Sequence, residues 1–311
     1  MVEVPEFSVV IAAFNRESLI ERSVRSVLNG EFQDLELVVV DDGSTDGTAA
    51  VLARISDERL RVVHQRNEGR TAARNNGAAV AQGRYLTFLD SDDYAEPDWL
   101  ATMHAIFQRS SDLGVACCGL RSTVLDERRS VLRTSTVVPG DLGPVYYNKT
   151  ARFAPPGTFA MKRELFEEIG GYDHELAHAE NTELAHRLLA QVVERGLTVG
   201  STPKVLINYE QCRPTASRSD YQARLFGAQT ILERHGERYR LHGRVKRSNY
   251  FAIAGTSSAY LGDMAIARQF FLRAIRDAPT RPRNYLRLAA ACIPAVAHRV
   301  WTLNDAPPND L

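Results

Sequence analysis

Three apolar runs near the start of the chain, "FSVVIAAF", "LELVVV" and "YLTFL", each end abruptly on a polar cluster: "NR", "DDGSTD" and "DSDD". Runs without alternation suit strands buried on both faces. Helix-period segments lie between them. "ESLIERSVRSVLNG" sets Leu19, Ile20, Ser23, Val24, Val27 and Leu28 on one face and stops at Gly30, and "TDGTAAVLARI" opens another helix behind a cap. "LRVVHQ", "GRTAARNNGAAVAQG" and "YLTFLDSDD" then repeat strand, helix, strand. This alternation predicts a parallel, doubly wound sheet, whose ligands bind beyond the carboxyl ends of the strands. All three polar clusters fall there.

"DSDD" puts Asp90, Asp92 and Asp93 within four residues. Their charges repel, so either they sit in open water as a solvated loop or something positive holds them. Three strand ends aiming acid or amide groups at one crevice favour the second. Carboxylates are hard oxygen ligands suited to Mg²⁺ or Mn²⁺, with positions left for phosphate oxygens. Asp90 and Asp92 are the candidate metal pair, with Asp93 behind them or facing solvent. A P-loop nucleotidase is excluded because no G-x-x-x-x-G-K-[ST] occurs, and the lack of a G-x-G-x-x-G after the first strand argues against a nicotinamide dehydrogenase. A response-regulator receiver fails because no lysine precedes Lys149.

From residue 112 the pattern becomes short strand-like pieces and a Pro/Gly-rich stretch, "VVPGDLGPVYYNK". "PPGTFAMKRELFEEIGGYD" reads as turn, strand and helix ending at Gly170-Gly171; "NTELAHRLLAQVVERG" is an amphipathic helix and "KVLINY" a last strand. After Cys212 the chain reads as helical up to a polar tail. The expected domains are residues 1–212, in halves of about 1–111 and 112–212, a helical region 213–300, and a tail 301–311. Within the helical region, Phe251, Gly255, Ala267, Phe271, Ala274 and Pro279 match one tetratricopeptide-type hairpin over about 248–280, with "LGD" at its turn. A single copy excludes a superhelical array; an ordinary hairpin and a peptide-binding module are the two readings.

The 311 residues carry zero net charge, but residues 213–300 hold 16 Lys/Arg against 5 Asp/Glu. An acidic body with a basic C-terminal part implies two regions with different partners. Candidates for the basic part are an anionic membrane face, a lipid-phosphate acceptor or a charged glycan. Nucleic acid is not expected, since no recognition module accompanies the basic residues. "RPRNYLRLAAACIPAVAHRVW" mixes Arg with Leu, Ile, Val and Trp301 as an interfacial helix would, while a core-packing helix with a solvated Arg face has equal claim. No run is long enough to cross a bilayer and "MVEVPEF" is not a signal-peptide start, which predicts a cytoplasmic protein, peripheral at the inner membrane face if the membrane reading holds. Cys117, Cys118, Cys212 and Cys292 show no disulfide or metal spacing and are expected as reduced, buried thiols.

"FSVVIAAFNRESLIERSVRSVLNGEFQDLELVVVDDGSTDGT", "NEGRTAARNNGAAVAQGRYLTFLDSDDYAEPDWL" and "GTFAMKRELFEEIGGYD" resemble the inverting glycosyltransferases of family 2, over roughly residues 7 to 217. The resemblance implies a GT-A fold, a doubly wound mixed sheet in which a nucleotide-binding half joins an acceptor-binding half, here with an α-helical C-terminal region. It implies a metal-dependent enzyme moving a sugar from a UDP- or dTDP-sugar to an acceptor hydroxyl of a polysaccharide, glycolipid or secondary metabolite. A polyprenyl-phosphate sugar synthase shares the front half.

Roles follow by position from that resemblance. The turn Ala13-Phe14-Asn15 would face base and ribose, Phe14 being either a stacking group or a core aromatic. Asp42 would accept the uracil N3–H, with Asp41 capping the next turn. Gly69 would let the backbone approach the ligand, and Arg74 would balance phosphate or acids. Asp90, Ser91 and Asp92 form the D-x-D motif, Asp90 on the ribose and Asp92 on the divalent cation. Gly157, Thr158 and His178 would lie on the acceptor side. The family's base is a carboxylate in an acidic pair before "xELxxRL"; here "HAENTELAHRLL" keeps Glu180 but has Asn181 in the second place. An amide cannot accept a proton at neutral pH. Glu180 is therefore the base, or the base comes from His178 or Asp173, or the chain binds sugar nucleotide without turnover.

Overall fold

A computed structural model of the chain describes residues 4–126, 128–139, 155–212 and 220–301. The expected tail beyond Trp301, the start of the basic region at 213–219 and most of the Pro/Gly-rich stretch lie outside the described residues. Two compact units are present, with residues 176–179 grouping with the C-terminal one.

The first unit is built on a nine-stranded sheet of order β3-β2-β1-β4-β8-β6-β9-β5, with β7 paired to β6. Strands β1 (Phe7–Ala13), β2 (Leu35–Asp41), β3 (Leu60–His64) and β4 (Tyr85–Asp90) are mutually parallel. Helices α1 (Ile20–Leu28), α2 (Thr48–Leu52) and α3 (Arg70–Val80) connect them. The chain winds outward from β1 to β3, then returns to lay β4 on the other side of β1. That reversal is a topological switch point, where a doubly wound sheet opens a crevice.

The expected parallel order ends at β4. Strand β8 (Phe159–Lys162) runs antiparallel to both β4 and β6 (Leu113–Leu125), and β9 (Thr198–Cys212) runs parallel to β6, so the whole sheet is mixed. β5 (Tyr94–Ala95) closes one edge and β7 (Val131–Val137) forms a hairpin with β6. The short pieces expected after residue 112 are one long strand, β6. Its glycines do not break it: register shifts against β9 fall beside Gly114 and Gly119, and a Cβ on Gly119 would lie 3.0 Å from the carbonyl oxygens of both Lys204 and Val137. Bulges with small residues let such a strand bend and continue.

The sheet buries both faces. Phe7, Val9, Ile11, Leu37 and Val39 pack with α1 and with Trp99, Met103 and Ile106 of α4 (Trp99–Phe107). The intervening Val10 and Val40 face α3, where a Cβ on Gly77 would come 2.5 Å from Val10 Cγ1. Gly77 is thus the reason α3 can lie close enough to the sheet to carry its N-terminus to the crevice. The remaining helices here are α5 (Arg163–Glu168) and α6 (Glu180–Glu194). Cys117 and Cys118 are buried free thiols, whereas Cys292 is exposed, contrary to the expectation. The side chain of Cys212 lies outside the described residues.

The second unit is helical: α7 (Tyr221–His242), α8 (Arg244–Tyr260), α9 (Met264–Asp277), α10 (Pro282–Cys292) and α11 (Pro294–Trp301). α8 and α9 form a hairpin that turns at Leu261-Gly262-Asp263, and Asp263 caps α9 by accepting the Ile266 N–H at 2.9 Å. A Cβ on Gly255 would lie 2.6 Å from the Phe271 ring, so the glycine allows the close crossing. Arg247 donates both arms of its guanidinium to Asp277 at 2.6 Å, tying the start of α8 to the end of α9.

Candidate functional site

The turns that follow β1 and β2 are clasped together. Asn15, in a left-handed conformation at φ 53°, accepts the Thr45 N–H at 2.8 Å, and its own N–H donates to Ser44 Oγ at 3.0 Å. Asparagine tolerates that conformation better than most residues. Phe14 beside it is 42% exposed, so it is not a core aromatic and its ring is open to a stacking partner. Ala13 is buried and accepts the Asp42 N–H at 2.8 Å. Asp41 accepts the Ser44 N–H at 3.0 Å, which is the turn cap expected of it.

Asp42 is 3% exposed and holds the loop leading to α3. One of its oxygens accepts from Gln65 Nε2 at 2.8 Å and Glu68 N–H at 2.9 Å, the other from Gly69 N–H at 3.0 Å. The second oxygen keeps a lone pair for another donor. Gly69 adopts φ 91°, ψ 161°, a region open essentially to glycine alone, and among the described residues none beyond its chain neighbours lies within 4 Å of where a Cβ would be. Backbone there can approach a ligand closely.

The acidic turn after β4 is suspended from α1. Ser23 Oγ lies 2.9 Å from Ser91 O and 2.6 Å from Asp93 O, and Arg22 donates to Asp92 O at 2.8 Å. This separates the three crowded carboxylates. Asp93 does not face solvent: it is fully buried, accepts the Glu210 N–H at 3.1 Å, and is held well above the usual carboxylate range by burial and then by the charges of Asp90 and Asp92. Asp90 turns onto Arg74. Asp92 stays partly exposed beside Arg16, whose Nη2 is 3.7 Å away. Burial and the Asp90 charge raise Asp92, with Arg16 opposing.

Asp90 and Asp92 fit a divalent cation by donor chemistry: two hard carboxylates, one partly exposed and raised by its neighbour, where positive charge would relieve the repulsion. Among the described residues no group of three or more His, Cys, Asp or Glu is arranged to hold an ion. The remaining ligands would then be phosphate oxygens and water, as Mg²⁺ sites commonly use.

Arg74 connects this turn to the start of α6. Its guanidinium, 1% exposed, meets Asp90 Oδ1 at 2.5 Å, Asn181 Oδ1 at 3.3 Å and Glu180 Oε1 at 3.6 Å. Burial opposes its charge, but Asp90, Tyr172 and Glu180 outweigh that and push its pKa up. Glu180 is buried, with Arg70 Nη2 3.3 Å away and Asn181 Nδ2 donating to it at 3.2 Å. Tyr172 donates its hydroxyl to Asn181 at 3.1 Å and lays its ring under Arg74. Ala179, just before Glu180, is held at φ 67°, an uncommon conformation for alanine at the point where the carboxylate is delivered. Asp173 accepts the N–H of Glu175 at 2.9 Å.

Gly157 and Thr158 precede β8, the strand beside β4. Both are buried; Gly157 O accepts the Trp99 indole N–H at 2.9 Å and Thr158 Oγ donates to Pro155 O at 2.7 Å. Their polar atoms hold the local backbone. His178, half-buried, belongs to the stretch 176–179 of the second unit, where a Cβ on Gly227 would collide with its carbonyl oxygen. Within the first unit the structure therefore brings together Phe14, Asn15, Asp90 and Asp92 around the switch point, with Arg74, Glu180 and Asn181 joined to Asp90. Sequence reasoning gave no role to Arg16, Ser23, Arg70 or Tyr172. Arg16, in a polar cluster at a strand end, Ser23, a polar residue on the inward face of α1, and Arg70, at the start of α3, carried a positional signal.

The model of the family described as "Glycosyl transferase family 2" matches residues 8–170. The succinoglycan biosynthesis protein ExoO of Rhizobium meliloti is 44% identical over 171 residues, 53% of this chain and 48% of that protein. The GalNAc(5)-diNAcBac-PP-undecaprenol beta-1,3-glucosyltransferase of Campylobacter jejuni is 37% identical over 103 residues, 32% of this chain and 33% of that one. The chain thus spans half or less of these relatives. The crystal structure of S. aureus TarS 1–349 in complex with UDP-GlcNAc shares the fold, with TM-score 0.58 and 18% identity over 95% of this chain and 90% of that one. The motifs at the strand ends, the GT-A type mixed sheet and a family match across more than half of its residues agree: this chain belongs to glycosyl transferase family 2.

Proposed function

We propose that the chain transfers a sugar, with inversion, from a uridine or thymidine diphosphate sugar to a hydroxyl of a glycan or lipid-linked acceptor, with Mn²⁺ or Mg²⁺ held by Asp92 and Asp90. The observation that carries this reading is the buried Arg74 network, which joins Asp90 of the D-x-D motif to Glu180 and Asn181. Donor-side and base-side groups then share one rigid support. A uridine donor is supported by the fold likeness to TarS, whose structure holds UDP-GlcNAc, and a glycan or lipid-linked acceptor by the names of the Rhizobium and Campylobacter relatives.

Phe14 stacks on the base, Asn15 holds the turn, and Asp42 uses its remaining lone pair for a base N–H while keeping the 65–69 loop in place. Gly69 lets the backbone close on the donor. When bound, the cation offsets the charge that develops on the departing diphosphate. Arg74 keeps Asp90 oriented, and Ser91 keeps the two acids of the motif apart. Glu180 accepts the proton of the attacking hydroxyl. Gly157 and Thr158 shape the acceptor side by fixing the backbone that leads into β8. A peripheral position at a membrane is compatible with a lipid-linked acceptor.

Asn181 favours a second reading, a chain that binds sugar nucleotide without turnover. Release of nucleoside diphosphate from UDP-, dTDP- and GDP-sugars with Mn²⁺ or Mg²⁺ separates the two, run beside Asp92→Ala and Glu180→Gln. Metal-dependent release lost in both variants supports transfer; nucleotide binding without release supports the second reading.

A further inference from the structure

Helices α10 and α11 turn one face inward. Asn284, Ala291, Ala297 and Trp301 are buried, Asn284 donating to Ser248 Oγ at 3.0 Å. The outward residues have a different character. Leu286 is 69% exposed and Ile293 51%, with Tyr285, Val296 and Val300 also exposed. From residue 281 to 301 the chain has four arginines and no Asp or Glu. A solvated helix face normally mixes charges of both signs. Here exposed aliphatic side chains share a stretch with arginines and no acidic residue, and Arg283 and Arg299 are exposed as well.

We infer that this face of α10–α11 is a docking surface for an anionic lipid bilayer. Leu286, Ile293, Val296 and Val300 would enter the boundary between headgroups and acyl chains while the arginines meet lipid phosphates. Tyr285 suits that boundary, with an apolar ring and a polar tip. Among the described residues no helix is long and apolar enough to cross a membrane, so the contact is peripheral. Charge decides between this occupant and a second copy of the chain: a symmetric pairing of the face would set like charges against one another, whereas an anionic surface complements them. The surface lies outside the candidate transfer site, and its failure leaves the transferase reading intact.

The test is co-sedimentation of the full chain with phosphatidylcholine vesicles and with phosphatidylcholine–phosphatidylglycerol vesicles, at low and high salt. The parent is expected to sediment only with the anionic vesicles and to release at high salt. Arg283→Gln/Arg299→Gln and Leu286→Gln/Ile293→Gln should each lower vesicle affinity by about tenfold. Both pairs sit on exposed positions and should leave the melting temperature unchanged. Absence of sedimentation with anionic vesicles, or affinity unaltered in both double variants, overturns the inference. So does a concentration-dependent dimer in gel filtration that Leu286→Gln/Ile293→Gln abolishes without any vesicle binding.

Discussion

The Arg74 guanidinium meets the Asp90 carboxylate at 2.5 Å while only 1% exposed. The same group reaches Asn181 at 3.3 Å, a residue 107 positions further along the chain. Removing one member of a buried ion pair strands the other, at a cost of about 3–5 kcal/mol. Arg74→Met is expected to destabilise the chain by about 3 kcal/mol in urea unfolding, since Asp90 keeps some solvent contact. Arg74→Lys should fall between the two, because a point charge cannot serve Asp90 and Asn181 as a fork does. Equal stability of Arg74→Met and the parent would dismiss the network as a support.

Asn181 Oδ1 accepts from Arg74 and from the Tyr172 hydroxyl. Both donors would serve a carboxylate equally well, but Asn181→Asp removes the amide N–H that Glu180 accepts at 3.2 Å and sets a second carboxylate beside it, so the melting temperature should fall near pH 7. If the second place of the pair is where proton acceptance is most effective, turnover should rise by about 10²-fold or more, the usual contribution of a positioned base. Unchanged turnover would show that position 181 does not limit proton acceptance and leave the Glu180→Gln variant to test Glu180.

Asp93 makes stability depend on pH. Burial, then Asp90 and Asp92, hold its carboxyl well above the range it has in the unfolded chain. Between the ordinary carboxylate value of about 4 and the raised one, the folded chain binds more proton than the unfolded chain. Stability therefore falls as pH rises through that window. Asp93→Asn retains an oxygen for the Glu210 N–H and removes the charge. The variant should melt higher than the parent near pH 7, and the difference should close as pH falls towards about 4. A difference that is the same at every pH would rule out this charge as its source.

At Gly69 the backbone conformation, not crowding, forbids a side chain. Among the described residues Gly69→Ala would meet none beyond its chain neighbours within 4 Å, yet it must adopt φ 91°. The expected cost is about 1–3 kcal/mol. Because the Gly69 N–H donates to Asp42, nucleotide affinity should fall as well. Isothermal titration with UDP, beside urea unfolding, measures both.

Phe14 gives the opposite pattern. Its 42% exposure means Phe14→Ala should change stability by no more than about 0.5 kcal/mol. Loss of base stacking should nonetheless weaken UDP binding by about 1–2 kcal/mol. A destabilised variant with full UDP affinity would return Phe14 to a packing role.

Much of the nucleotide-side architecture was legible in the residues because its signals are local. Two-faced burial writes itself as an uninterrupted apolar run, as in Val9, Val10 and Ile11 or Leu37 to Val40, and helix period marks the inward face of α1. A polar cluster directly after such a run must lie at the carboxyl end of a strand, which located Asn15, Asp42, Asp90 and Asp92. β6 was harder to read, since Gly114 and Gly119 resemble breaks until β7 and β9 lie on either side. Strand order and side-chain partners are not local quantities. Adjacent in sequence, Asp92 and Asp93 part completely, one to the crevice and one to the interior, because Ser23 and Arg22 of α1 pull the turn and the Glu210 N–H takes the second carboxylate. Arg74 could be read only as a helix residue near acids. Its contact with Glu180 and Asn181 exists because the fold carries the start of α6 to the N-terminal half of α3, and only the tertiary structure decides such a meeting. Local residue pattern settles which groups end the strands; the folded chain decides which carboxylate is buried, which is bridged and which is left open, since those outcomes depend on desolvation and charge in three dimensions.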